Sequence, residues 1–346
     1  MARQTFAFNS EMGMTLIPGI RARKSHEAGA YLISANADGF RDDEFVVERQ
    51  PGTRRILLYG DSFAFGAGVA KEDRFGELIA ASIPNVEVYN FGIVGSGIDQ
   101  QLLAHRFVGS KLDYDLVLLA PWVEDAKRNL QQYKLWNRSP DRDDGSGLIW
   151  MPKPYFEVDA SGSLELHNYP VPPPIPYGGL DDVDSARTDM GGRLDYVRWR
   201  LRKYHPGLKG AIQRVTRYQP AKLYDSPDNP GWVLTRAILE QWIDEADAPV
   251  LICPIPMYQH IEGASSATAA TARFAEFDRS VAGAHVFDAL PALKRRSLRA
   301  RRGMRFASDI HFSPAGHRAF AEAIVEEIAR VLHDAGDLSA SSTSVQ

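Results

Sequence analysis

Residues 54–68 read Arg54-Arg55-Ile56-Leu57-Leu58-Tyr59-Gly60-Asp61-Ser62-Phe63-Ala64-Phe65-Gly66-Ala67-Gly68. The short apolar run ending in Gly60 has the pattern of a strand buried in a parallel sheet. Working outward, residues 73–83 carry apolar positions at helical spacing, with Asp73 placed to cap that helix. Val86 to Phe91 reads as a second strand, 98–110 as a helix and Asp115 to Ala120 as a third buried strand. An amphipathic helix over 232–245 leads to a fourth strand, Pro249 to Cys253, closed by Pro254 and Pro256. A helix over 267–280, a short strand His285 to Phe287 and a strong helix over 314–333 complete the pattern. Strands alternating with helices imply βαβ units and therefore an α/β fold with a mostly parallel sheet.

The chain has 346 residues, more than a catalytic α/β domain needs. The surplus falls at about 131–230, where seven prolines between 152 and 176 and a basic stretch from Arg193 to Tyr218 break the rhythm. Insertions at the carboxyl ends of parallel strands shape ligand crevices, so this one is expected to be a lid or substrate-shaping region rather than a second domain. The expected organisation is an irregular lead-in over 1–53 packed on the core, a main domain over 54–334 and a disordered polar tail over 335–346.

Composition removes several classes. With 44% hydrophobic and 24% charged residues the chain is neither disordered throughout nor a coiled coil. Forty Lys and Arg against 44 Asp and Glu leave a net charge of -4, which argues against nucleic acid as a partner. One cysteine, Cys253, allows no intrachain disulfide and no multi-cysteine zinc cluster. No signal peptide or transmembrane segment is visible, so the chain as given is expected to be soluble and cytoplasmic; removal of an export segment would make it periplasmic or secreted.

Ser62 directly follows a buried strand, ahead of a glycine-rich turn and a helix whose positive end would face it. A serine there can be a nucleophile if a base takes its proton. Competing readings are a helix cap, for which Asp and Ser both serve, and a phosphate loop, weakened by the lack of a third glycine or of Gly-Lys-Ser/Thr. The base is sought in Asp309-Ile310-His311. In an extended segment residues two apart share a face, so Asp309 could orient the His311 imidazole if the loop lets it reach. Alternatively His311 is a loop histidine and Asp309 a turn residue. Ser313 and Pro314 fit the N-cap and first turn of the helix that follows. His317 would have to join a metal site, but packing or capping is the expected role, and no metal or other cofactor is expected.

Four blocks in order resemble the SGNH (GDSL-type) hydrolase family: Gly60-Asp61-Ser62-Phe63 with Gly66 and Gly68, Asn90-Phe91-Gly92-Ile93-Val94-Gly95, Trp122-Val123-Glu124-Asp125, and Asp309-x-His311. They cover roughly 54–130 and 230–333, and Gly39-Phe40-Arg41-Asp42 also resembles the lead-in of bacterial members. The resemblance implies a three-layer α/β/α flavodoxin-like sandwich. It implies Ser62 as nucleophile, His311 as general base and then acid, Asp309 as its orienter, and the N–H groups of Ser62 and Gly95 in an oxyanion hole. Gly95 suits that place because no side chain blocks the oxyanion; a plain turn glycine is the alternative.

Two departures stand out. The family's usual Asp-x-x-His is shortened to Asp-x-His, a form that also resembles sugar-directed acetylesterases and acetyltransferases. Where the family has an oxyanion-donating Asn, this chain has Glu124, and an ionised carboxylate accepts but cannot donate. Three outcomes are open: Glu124 is protonated or points away to an arginine, Asn129 takes over as donor, or the site has drifted to other chemistry or to binding. Asp61, Trp122 and Arg305 are candidate substrate contacts. The basic run 294–305 reads first as a solvated face and second as an attractor of an anionic substrate, and aromatic residues among the arginines of 193–204 could stack sugars. The expected activity is an esterase or O-deacylase acting on an acyl ester of a carbohydrate or small metabolite, with O-acyl transfer to a glycan or a weakened binding protein as alternatives. Oligomeric state is not legible.

Overall fold

The lead-in, irregular by its sequence, forms two antiparallel hairpins in the computed structural model, which describes residues 4–137, 147–177 and 222–343. Strand β1 (Phe6–Asn9) pairs with β2 (Gly13–Leu16), and β3 (Arg21–His26) with β4 (Gly29–Ser34). On β3 only Ala22 is buried while Arg21, Arg23 and Lys24 face solvent, so a single apolar residue marked the inward side and no alternation showed.

The first βαβ segment follows the expected order. Strand β5 (Arg54–Gly60) runs into the short helix α1 (Ser62–Phe65), then α2 (Phe75–Ser82), β6 (Val86–Gly92), α3 (Ile98–Phe107), β7 (Leu116–Ala120) and α4 (Asp125–Asn129). Asp73 does not cap α2: it lies in a 3-10 turn, and the cap position is Arg74, which makes no side-chain cap bond. The insertion then contributes β8 (Tyr133–Asn137), β9 (Leu148–Pro152), β10 (Tyr155–Val158), β11 (Leu164–His167) and β12 (Ile175–Pro176). Strands β12, β9 and β8 make a small antiparallel sheet, and β10 and β11 a hairpin. The basic aromatic stretch from Arg193 lies outside the described residues.

Helix α5 (Pro230–Glu245) is started by Asn229, whose side chain accepts from Gly231 N, with Pro230 in its first turn. Strand β13 (Val250–Ile252) follows, then α6 (Tyr258–Glu262), α7 (Thr268–Ser280), α8 (Leu290–Lys294), α9 (Leu298–Arg302) and α10 (Pro314–Thr343). The expected strand at His285 to Phe287 is one parallel bridge, Val286 to Ile252. The backbone of α10 stays helical to Thr343, into the stretch expected to be a disordered tail; its Ala- and Leu-containing sequence carries no proline to stop it.

The central sheet is parallel with order β13-β7-β5-β6. Helix α2 packs on α10, and α3 on α5. Right-handed crossovers put these pairs on opposite faces of the sheet, giving three α/β/α layers in a flavodoxin-like strand order. Ile56, Leu57, Leu58 and Tyr59 are fully buried between the layers. Each such aliphatic side chain contributes about 1.5–3 kcal/mol of hydrophobic stabilisation. The chain reverses direction across the sheet between β5 and β7, and at such a switch point a crevice opens beyond the strands' carboxyl ends. Ser62 stands there. A second apolar cluster joins Phe6, Met14, Tyr31 and Ile33 of the lead-in to Phe65 of α1 and Met151 of the insertion, so both additions are packed around the serine loop.

Candidate active site

Asp61 holds the turn after β5. Its Oδ1 accepts from the N–H of Phe63 at 2.9 Å, the cap of α1 that the alternative reading assigned to this tripeptide. The cap is therefore real, but it occupies Asp61 and leaves the Ser62 hydroxyl for other work. Ser62 is 4% exposed, and its Oγ lies 2.7 Å from Nε2 of His311, a residue 249 positions away. A second acceptor, Asp61 Oδ2, is farther, at 3.3 Å.

His311 Nδ1 lies 2.6 Å from Asp309 Oδ1. A carboxylate only accepts, so Nδ1 carries the ring proton and Nε2 is left with a lone pair for the Ser62 proton. The two-residue spacing works by a bend rather than by an extended segment: the backbone turns at Ile310, and Asp309 Oδ1 also accepts from the His311 N–H at 3.2 Å. Burial pushes the Asp309 carboxyl up, but the hydrogen bond and charge of His311, helped by His26, outweigh it and hold it well below the usual carboxylate range. Downstream, Ser313 Oγ accepts from Gly316 N and donates to the Gly303 carbonyl, fixing the start of α10 behind the loop. His317 is fully buried, stacks on Phe75 and accepts from the Phe75 N–H at 3.3 Å, a packing and capping role. Burial, then the charge of Arg74, lowers it to about 3.

On the oxyanion side the structure removes one of the three open outcomes. Asn129 does not face the serine: its Oδ1 accepts from Ile98 N at 2.8 Å and Asp99 N at 3.4 Å, and its Nδ2 donates to Thr235 Oγ1 at 3.0 Å. It caps α3 and ties that helix to α5, so its amide is already committed. Glu124 takes the N-cap position of α4, without capping it through its side chain; burial raises the Tyr258 and Tyr224 hydroxyls, and the Glu124 charge adds a smaller push in the same direction. Among the described residues neither the Ser62 N–H nor the Gly95 N–H has an acceptor within the protein. Gly95 sits at φ +68, where a side chain is strained, and an added Cβ would strike Lys134 Nζ. Lys134, brought by the insertion, donates to the carbonyls of Val94 and Gly95 at 3.2 and 3.3 Å and sets a cation beside this loop.

The sequence reading missed Arg128. Its Nη1 lies 2.7 Å from Asp61 Oδ2, 2.6 Å from Asp125 Oδ1 and 3.1 Å from the Ser96 carbonyl, with the guanidinium over the Trp122 ring. The three-residue step from Asp125 to Arg128 on a helix was the available signal. Burial, then the neighbouring charge of Asp61, pushes the Asp125 carboxyl well up, while Arg128 pulls it down. Trp122 packs against Phe63, and its indole N–H is a buried donor without an acceptor among the described residues. Arg305 is paired with Glu262 at 2.7 Å and lies over Tyr258, so its charge is largely compensated. Of the same basic run, Arg296 pairs with Glu322 and Arg301 donates to the Ile261 carbonyl, while Lys294, Arg295, Arg299 and Arg302 are exposed.

A cavity of about 620 Å³ opens between the β3–β4 hairpin, Lys71 and Phe306, and none of Ser62, Asp309 and His311 lines it. Among the described residues no cluster of His, Cys, Asp and Glu is suited to a metal, and no helix is long and apolar enough to cross a membrane.

No family model matches the chain, and no curated protein matches it. Among solved structures it is similar to a member of the lipolytic protein G-D-S-L family from Veillonella parvula, with 13% identity over 80% of this chain and 100% of that one and a TM-score of 0.40. A two-domain esterase active on acetylated mannans shares 12% identity over 81% of this chain and 50% of its own, with a TM-score of 0.40. A lipase/acylhydrolase from Enterococcus faecalis shares 16% identity over 80% of this chain and 95% of that one, with a TM-score of 0.35.

Proposed function

We propose that this chain is a serine esterase or O-deacylase of SGNH type, acting on an acyl ester of a carbohydrate or small metabolite. The observation that carries the reading is the unbroken hydrogen-bond chain Ser62 Oγ to His311 Nε2 and His311 Nδ1 to Asp309 at 2.7 and 2.6 Å. In the proposed reaction Ser62 Oγ attacks the ester carbonyl as His311 Nε2 takes its proton. The new oxyanion is met by the N–H groups of Ser62 and Gly95. Collapse breaks the bond to the alcohol oxygen, which receives the proton from His311, and leaves an acyl-serine. Water, deprotonated by His311, releases the acid and restores Ser62. A sugar hydroxyl in place of that water makes the same site an O-acyltransferase.

The decisive test is turnover of a panel of acetyl and longer acyl esters by wild type and Ser62→Ala. Equal rates for the two would end the hydrolase reading. The second reading, a binding or accessory protein with a weakened site, is favoured by one observation, Glu124 in place of an amide donor. Covalent labelling of Ser62 by a fluorophosphonate counts against it. Replacing Glu124 with Asn restores a donor; since one such donor is worth about 10²–10³ in kcat, a rise of that order would mark Glu124 as the cause of a weakened hole.

A further inference from the structure

The lead-in hairpin reaches the loop that carries the proposed base. His26, the last residue of β3, places Nε2 3.2 Å from Asp309 Oδ2, the carboxylate oxygen that His311 does not use. Its tautomer follows from its other nitrogen: the N–H of Ala28 points at His26 Nδ1 at 3.4 Å, so Nδ1 accepts and Nε2 carries the proton it gives to Asp309. The ring is held edge-on against Phe306 with centroids 4.3 Å apart and is only 12% exposed at its side chain. Gly68 makes room for it, since a Cβ there would stand 2.8 Å from His26 Cε1, and φ +90 at that position also calls for glycine. The next residue adds a second clamp: the Glu27 carboxylate accepts from the Ser308 N–H at 2.9 Å and from its hydroxyl.

We propose that His26 is a positioning residue for the Ser62–His311–Asp309 site, fixing the Asp309 carboxylate from the side opposite His311. The physical need is specific to this chain. A two-residue spacing puts Asp309 just before a bend, about one-third exposed, where both hydrogen bonds from His311 fall on Oδ1 and leave Oδ2, and with it the tilt of the carboxylate, unheld by that residue. A donor on the second oxygen fixes that tilt, so His311 keeps its Nε2 aimed at Ser62. The lead-in is thereby part of the working site and not only a cover on the core.

The inference rests on the esterase reading for its kinetic consequence but not for its structural one, and the experiment separates them. His26→Ala and His26→Gln are compared with wild type; the Gln amide N–H reaches about where Nε2 stands. Two quantities are read: kcat and KM on an acyl ester, and the downfield proton resonance of the His311 Nδ1–H, assigned by its loss in Asp309→Asn. Expected for His26→Ala is a kcat about tenfold lower, the scale of one charge-assisted hydrogen bond, with KM within twofold and the resonance broadened or moved upfield. His26→Gln restores both to near wild type. An unchanged resonance and kcat in His26→Ala overturn the proposal. So does a rise in KM alone, which would make His26 a substrate contact, and so does an equal loss in both variants with a lowered melting temperature, which would make it structural. If no ester is turned over by wild type, the esterase reading fails, and the resonance alone decides for or against His26.

Discussion

Arg128→Met tests the ionic arrangement beneath the nucleophile. In the wild type one guanidinium nitrogen lies 2.7 Å from Asp61 and 2.6 Å from Asp125, and both carboxylates are wholly buried. Methionine fills much of the same volume but leaves two buried carboxylates without a cation. Removing one partner of a buried ion pair costs about 3–5 kcal/mol, which for a chain of this size lowers Tm by roughly 4–7 °C. The pH dependence gives the sharper check. Burial and Asp61 already raise Asp125, and without Arg128 it rises further. A carboxyl whose folded pKa exceeds its unfolded value binds more protons folded than unfolded, so stability falls as pH rises through that window. The deficit of the variant therefore grows as pH rises. Urea unfolding followed by tryptophan fluorescence at pH 5, 6.5 and 8 measures it. Adding Asp125→Asn should return part of the loss, because a neutral amide needs no counter-charge. A deficit under about 1 kcal/mol, as for a solvent-screened pair, or one that does not change between pH 5 and 8, would refute the argument.

Four further outcomes follow from the same geometry. Asp309→Asn should lower kcat by about 10⁴ with the fold intact, since an amide no longer fixes the His311 tautomer; steady-state kinetics decide, and a loss under tenfold would contradict the role. Because Asp309 is held below the usual range, its contribution is present above the unfolded value near 4 and is lost only as pH falls through the lower folded value, so activity changes between pH 5 and 8 should come from other groups. Gly95→Ala should reduce kcat more than it raises KM, by strain at φ +68, at about 1–3 kcal/mol, and by displacement of Lys134 beside the proposed hole. Lys153→Met should destabilise the fold by about 3–5 kcal/mol, because Lys153 bridges the insertion to the fully buried Asp99 carboxylate and to the Arg128 carbonyl; calorimetry would show it.

Local pattern made the sheet legible. The apolar runs of β5 and β7 and the stripe of Phe320, Ile324 and Ile328 on α10 bury against whatever covers them, so their periodicity survives without knowledge of the neighbours. The lead-in hairpins lacked that property, because β3 offers a single inward residue and takes its register from β4. The role of Asn129 could not be chosen from the sequence for a related reason. An amide one turn from Glu124 can serve a substrate or a helix end equally well, and only the arrival of the α3 N-terminus and Thr235 decides between them. Arg128 was passed over because its significance depends on Asp61, 67 positions away.

The sequence by itself determined the alternating α/β core and the carboxyl-edge position of Ser62, because each depends on residues close along the chain, but it left open whether the loop lets Asp309 reach His311. Only the tertiary structure decided that the Ser62 hydroxyl meets His311 and that Arg128 joins Asp61 to Asp125. The same holds for Lys134 standing beside Gly95 and for His26 and Glu27 closing on the Asp309 loop from 283 and 281 residues away. Those contacts are made by side chains that sit on separate elements. Their distances are set by how the layers and hairpins pack, and no spacing along the chain encodes that.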